Sequence, residues 1–252
     1  MAQAISAQHL SRDLVSGGPR RPRGRGMTPP TQECLQAAMA SNAPDVSSAS
    51  MAVVAGNSAQ PIEEATARGE QESEAAAQAA LLELQALLSN NRGVIEPTRP
   101  GPAEILPHLL LGGEADAKNI EVLVRLGVTH VLNVAGGEVK TGPDAYTTRG
   151  MRYSEIVSQD TQAYDIMQHY EEVAQLADEV AAAKPPGRLL VHCFAGVNRS
   201  GTLCLAYHAV RSGMPLLQSA RHCKARRGRI CTNTGFQTQL FSFARKRSLP
   251  LR

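Results

Sequence analysis

Cys193 and Arg199 stand six positions apart in the stretch Leu189–Gly201, which reads Leu-Leu-Val-His-Cys-Phe-Ala-Gly-Val-Asn-Arg-Ser-Gly. A thiolate is a nucleophile, and a guanidinium grips two oxygens of a phosphate with its planar fork, which lysine cannot match. Both lie where an apolar run, Leu189 to Val191, gives way to a stretch that reads as helix from Ser200. A strand feeding a tight loop at a helix N-terminus gathers loop N–H groups and the positive end of a helix dipole at one point, which makes an anion site. The same surroundings favour thiolate over thiol. Backbone N–H groups of Phe194, Ala195, Gly196, Val197, Asn198 and Arg199 would supply the remaining donors, with Gly196 letting the loop bend.

The bare pair is weak evidence. With five cysteines and 21 arginines, about 0.4 Cys-x5-Arg pairs arise by chance, and Cys223 with Arg229 is such a pair. It has Arg226 where the glycine is needed, no apolar run before it and no hydroxyl after its arginine. Requiring His before the Cys and Gly three after it lowers the chance expectation to roughly one in a thousand.

The pattern His192-Cys193-x-x-Gly196-x-x-Arg199-Ser200 resembles the signature of the cysteine-dependent protein phosphatases, and its flanks resemble the dual-specificity branch. Asp160, 33 positions before Cys193, lies where that branch carries its general acid. Arg226-Arg227 followed by Asn233-x-Gly235-Phe236-x-x-Gln239-Leu240 resembles the branch's C-terminal helices, and Ile105 to Gly112 its opening strand. The likeness covers about 101–247, three-fifths of the chain. It implies Cys193 as nucleophile, Arg199 as phosphate clamp, Asp160 as acid and then base, and Ser200 assisting thiolate departure. His192 reads either as an orienting residue behind Cys193 or as a buried structural histidine. Asp165 competes with Asp160 and better suits a helix cap, being one residue before the first inward apolar residue. No metal and no cofactor are expected, and the partner is a phosphorylated protein.

One position departs from the branch. Asn198 stands where Ser is usual, and there the chain resembles the RNA 5′-phosphatases, which commonly lack the acid. The uncharged Phe194, Ala195 and Val197 lack the lysines typical of phosphoinositide phosphatases. Phosphoprotein therefore ranks first as substrate, RNA 5′-phosphate second and inositol lipid third, with nucleic acid not expected as a partner. A non-catalytic phosphate-binding scaffold is the alternative of another class; it would show loss of Cys193, Arg199 or Asp160, and none is lost. No long tyrosine-recognition loop precedes Arg152, so a shallow pocket open to phosphoserine and phosphothreonine as well as phosphotyrosine is expected.

The elements that must position these residues occupy the second part of the chain. Residues 1–100 contain no Phe, Tyr or Trp, so they read as a largely disordered extension. Within it, residues 63–88 are rich in Ala, Glu, Gln and Leu, and Leu81, Leu82, Leu84, Leu87 and Leu88 form one apolar stripe. A lone marginal helix, a partner-docking helix and a segment packed on the catalytic domain all fit this pattern. Lacking a core, residues 1–95 are expected to be dispensable for folding. The domain at 101–248 alternates strands (Leu109–Leu111, Val128–Val134, Arg152–Val157, Leu189–His192) with helices (Ala117–Leu126, Ile166–Val180, then about 200–212, 215–226 and 235–246). That order predicts an α/β fold with a central, mostly parallel sheet flanked by helices. Ligands of such sheets bind beyond the C-terminal strand ends, where Cys193 falls.

From Val180 to Arg252 there are 13 basic residues and no acidic ones, which would either steer anions or form a solvated face. The five cysteines have no zinc spacing, and their odd number points to a reducing compartment, the cytoplasm with the nucleus as a second site. No apolar run approaches the ~18 residues of a membrane helix. The Arg-rich first 32 residues read as a basic arm more readily than as a transit peptide.

Overall fold

The computed structural model describes residues 60–89 and 97–252, with side chains from Gln71. The disorder expected over most of 1–100 falls in part, and the basic arm expected in the first 32 residues wholly, on 1–59 and 90–96, outside the described residues. Among the described residues five strands form one sheet: β1 (Ala103–Leu106), β2 (Leu109–Gly112), β3 (His130–Asn133), β4 (Arg152–Glu155) and β5 (Leu189–His192), in the order β1-β2-β5-β3-β4. Only β1 is antiparallel, so the expected α/β class with a mostly parallel central sheet is borne out. β5 is central and pairs with β2 and β3, bringing Gly112, His192 and Asn133 level at the strand ends. All four of its residues are buried, as a parallel strand covered on both faces requires.

Alternation along the strands sorts the core into two layers. Leu109, Leu111, Leu132, Leu189 and Val191 face the larger one, with the helices α5 (Tyr170–Ala182), α6 (Arg199–Ser212), α7 (Leu216–Arg227) and α8 (Thr234–Lys246). Leu110, Val131 and Leu190 face the smaller one, with Ala117, Leu123, Val128, Tyr146 and Met151. α6 carries Arg199 and Ser200 in its first turn and is buried without a break from Arg199 to Ala209. It is the helix that continues from the loop after β5, so the loop is held at both ends by buried elements.

Besides the added antiparallel strand β1 and the 3₁₀ turn Ile166–His169 that opens the helix expected at Ile166–Val180, the structure departs from the expected elements in three places. The helix expected at Ala117–Leu126 is two, α2 (Glu114–Lys118) and α3 (Ile120–Arg125), because Asn119 leaves helical geometry and its side chain accepts from Val122 N. Val124, an apolar residue of that stretch, is exposed. The stretch between the strands expected at Val128–Val134 and Arg152–Val157 contains a short helix, α4 (Asp144–Thr147), pinned by buried Tyr146, whose hydroxyl donates to Ala117 O at 3.0 Å.

The third departure is the largest. α1 runs Gln60–Leu88 and lies on α7 and α8. Leu84 and Leu88 are 0 % and 1 % exposed and belong to the main core, with Ala77 and Ala80 beside them. Of the expected stripe only Leu82 faces solvent, so a partner docking on that stripe would require α1 to leave the domain. Glu83 pairs with Arg221 at 2.6 Å and with Arg252 at 3.3 Å, Glu74 pairs with Arg245 at 2.9 Å, and Lys224 Nζ donates to Leu87 O. Three residues of the basic C-terminal run, Arg221, Arg245 and Arg252, thus pair with carboxylates of α1, and Arg247 pairs with Glu171.

Candidate active site

The loop from Cys193 to Asn198 leaves β5 and enters α6 with Gly196 at φ +64°. A Cβ there would lie 2.4 Å from the backbone of Gly112 and 2.5 Å from Arg227, so glycine is required by both conformation and space. The loop's carbonyls all find donors. Cys193 O faces His192 Nδ1 at 3.4 Å, and Phe194 O accepts from Glu114 N at 2.9 Å. Ala195 O and Gly196 O each accept from Arg227 at 3.2 Å, and Val197 O from Cys231 N at 2.7 Å. Asn198 O takes the N–H and hydroxyl of Thr202. None of the N–H groups of residues 194–199 donates to an acceptor among the described residues. Free N–H groups on one loop, at the start of a long helix, make an anion cradle.

Cys193 is 2 % exposed. Its Sγ accepts from Ser200 Oγ at 3.1 Å. Arg199 is equally buried; its Nη1 donates to Glu138 Oε2 at 2.6 Å and to Ser158 O at 3.2 Å, while its Nε has no partner among the described residues. Burial works against its charge, but the Glu138 hydrogen bond and the charges of Cys193, Glu138 and Asp160 outweigh it, so its pKa is raised. Glu138 thus fixes one edge of the fork and leaves Nε for an oxyanion. His192 is fully buried, and burial, against the opposing pull of the Cys193 carbonyl, Glu114 and Asp116, lowers its pKa to about 4. It is a neutral ring whose Nδ1 faces the Cys193 carbonyl, consistent with both expected readings.

Asp160 is exposed and tethered to the loop. Its two carboxylate oxygens accept from Asn198 Nδ2 and Asn233 Nδ2, each at 3.0 Å. Asn198 Oδ1 in turn accepts from Thr232 N, Thr232 Oγ1 and Asn233 N at 2.8, 3.1 and 3.1 Å. Asn233 Oδ1 caps α8 through Gly235 N and Phe236 N. Gly235 admits the acid-bearing segment: a Cβ would stand 2.1 Å from Gln162 O. Asp165 caps the 3₁₀ turn Ile166–His169, accepting from Met167 N at 3.1 Å. Of the two candidate carboxylates, the one beside the loop is Asp160.

The structure therefore brings together Cys193, Arg199, Ser200, Asp160, His192 and the loop from Phe194 to Asn198. Phe194 is 59 % exposed and stands on the rim. Sequence reasoning missed Glu138, Ser158, Thr232 and Asp116 altogether. Only the need of a buried Arg199 for a counter-charge pointed to an acid such as Glu138, and nothing said which.

A central strand that delivers a thiol and a buried guanidinium into a cradle of free N–H groups defines the class: hydrolases of phosphate monoesters. The family model described as "Dual specificity phosphatase, catalytic domain" matches residues 109–246. Dual specificity protein phosphatase 26 of Homo sapiens is 38 % identical over 143 residues, 57 % of this chain and 67 % of that one. Dual specificity protein phosphatase 13B of Homo sapiens is 37 % identical over 139 residues, 54 % and 69 % of the two chains. The crystal structure of DUSP15 superposes with a TM-score of 0.52 at 29 % identity, covering 60 % of this chain and 93 % of that one. The chain belongs to the dual specificity phosphatase family and is a protein phosphatase.

Proposed function

We propose that the chain hydrolyses phosphotyrosine and phosphoserine or phosphothreonine in proteins through a phosphocysteine intermediate. Cys193 Sγ attacks phosphorus, the bond from phosphorus to the leaving oxygen breaks, and Asp160 gives that oxygen its proton. The carboxylate so formed then takes a proton from water as it attacks phosphorus, and the sulfur–phosphorus bond breaks. Ser200 Oγ, already on Sγ, stabilises the departing thiolate. Arg199 Nε and the loop N–H groups hold the phosphoryl oxygens, with a grip that tightens in the transition state. The observation that carries this reading is the pairing of every loop carbonyl while the loop N–H groups stay free around a buried thiol.

The RNA 5′-phosphate reading rested on Asn198, whose carboxamide is spent on Asp160 and on Thr232 and Asn233. A mechanism without an acid has no use for the contact between Asn198 Nδ2 and Asp160. Against the scaffold reading stands the presence of thiol, guanidinium and carboxylate together around one loop. We assign the enzyme to a reducing compartment, the cytoplasm with the nucleus as second site, because a thiol that must stay reduced is useless elsewhere.

Turnover of p-nitrophenyl phosphate, with and without vanadate, tests the proposal. Cys193→Ser should abolish turnover and keep vanadate binding, whereas Arg199→Lys should lose both. Turnover surviving in Cys193→Ser would refute it.

A further inference from the structure

A loop can aim its N–H groups at an anion only if its carbonyls turn away, and every carbonyl turned into the protein needs a donor there. Backbone groups, a hydroxyl and the His192 ring serve Cys193, Phe194, Val197 and Asn198. The carbonyls of Ala195 and Gly196, at the bend itself, depend on one side chain. Arg227, at the last position of α7, is 2 % exposed and places Nη2 on Ala195 O and Nε on Gly196 O. Its Nη1 donates to Gly101 O at 2.9 Å, to Asp116 Oδ2 at 3.2 Å and, at 3.4 Å, to Arg99 O. Asp116 Oδ2 also accepts from Gly113 N at 2.8 Å, so the ion pair is itself anchored beside the loop. The backbone around Arg227 closes the other side: Arg99 N donates to Arg227 O at 2.8 Å, and Thr98 bridges Gly228.

We propose that Arg227 is the positioning residue of the phosphate loop. It touches no substrate; it holds the Ala195 and Gly196 carbonyls outward so that the loop N–H groups converge on the phosphoryl oxygens. Two parallel donors from a rigid fork fix the plane of two successive peptides, which a single-point cation cannot do. The residues 97–101 complete the shell of the fork, so the loop's geometry depends on the segment that follows α1 in the chain. The proposal rests on the reading of this loop as the phosphate site.

The test uses the full chain with Arg227→Met, which keeps the apolar stem and removes all donors, and Arg227→Lys, which keeps the charge and reaches one carbonyl. Three quantities are read: the melting temperature, kcat and KM for p-nitrophenyl phosphate, and the inhibition constant of inorganic phosphate. A hydrogen bond from a charged donor is worth about tenfold or more in an equilibrium. Phosphate inhibition should weaken about tenfold or more in Arg227→Met, with a larger loss in kcat/KM, and Arg227→Lys should recover part of both. If the folded variants bind phosphate and turn over within twofold of the parent, the proposal is overturned. It is overturned equally if the variants only melt lower, or fail to fold in both forms, since Arg227 is then a fold determinant and nothing more. A parent chain inert towards p-nitrophenyl phosphate would instead refute the function on which the proposal rests.

Discussion

Truncating Leu84 should destabilise the catalytic domain, although that residue lies outside the segment whose composition looks like a globular core. Leu84 is fully buried among side chains of the main core, while Leu82, two positions away on the same helix, is 57 % exposed. Leu→Ala at a buried site costs about 2.7–5 kcal/mol, from lost transfer energy plus the cavity left behind. For a domain of this size each kcal/mol moves the melting temperature by roughly 2–4 °C, so Leu84→Ala should lower it by roughly 6–20 °C. Leu82→Ala should stay within about 0.5 kcal/mol, as surface changes do. Glu83→Gln, which frees Arg221 and Arg252, should cost less than about 1 kcal/mol because those ion pairs are exposed.

Thermal and urea melts followed by circular dichroism on the three variants separate the contributions. A chain begun at Pro97 should fare worse than Leu84→Ala, since it also uncovers the faces of α7 and α8 that Leu88, Ala77 and Ala80 close. Net stability of about 5–15 kcal/mol leaves little room for such a loss. Equal shifts for Leu84→Ala and Leu82→Ala, or a truncated chain melting within about 2 °C of the parent, would refute the packing of α1 and restore the view that residues 1–95 are dispensable.

Asp160→Asn should lower kcat by roughly 10²–10⁴ for poor leaving groups and less for p-nitrophenolate, while Asp165→Asn should cost only the stability of a cap. Asn198→Ala removes one of the two tethers on Asp160 and should lower kcat about tenfold for the same poor leaving groups; a loss independent of leaving group would show that Asn198 serves the loop and not the acid. Stability should fall on acidification. Burial lowers His192 to about 4, and burial with His222 and Arg226 beside it does the same to His208. In the unfolded chain both titrate near 6.5, so the native state is favoured fully above that pH and loses ground as pH falls towards 4, by up to about 1.4 kcal/mol per pH unit for each ring. Urea midpoints from pH 7 to 5 should show this slope, reduced in His208→Gln; a flat profile would show that the two rings take up protons in the native state.

The chemistry legible in the sequence is the chemistry whose partners are close along it. Cys193, Arg199 and Ser200 lie within eight residues, and strand, loop and helix are spelled out by apolar run, glycine and hydroxyl. The sheet was legible for the same reason, since β5 is a continuous apolar run as a doubly covered strand must be. What stayed hidden joins distant positions: Arg199 to Glu138 across 61 residues, Asp160 to Asn198 across 38, Arg227 to Ala195 across 32. α1 failed differently, since its apolar stripe was plain but such a stripe names no partner, and a domain surface satisfies it as well as another protein would.

Asn198 shows how a local reading misleads when the partners are distant. By residue type alone it points away from an acid-using enzyme. In place, one carboxamide holds an acceptor and a donor at opposite corners, and the structure uses both: Oδ1 ties the turn between α7 and α8 to the loop, and Nδ2 ties Asp160 to the same point. A serine hydroxyl can also donate and accept, but from one atom on a shorter side chain, without the two separated corners that a carboxamide presents to the two sides. Asn233 then takes the second oxygen of the carboxylate, and its own Oδ1 caps α8. The Asp160 carboxylate is thus fixed to the loop and to a helix start. The departure that set Asn198 apart from the family's usual pattern is, in three dimensions, the strongest argument that this chain works with Asp160.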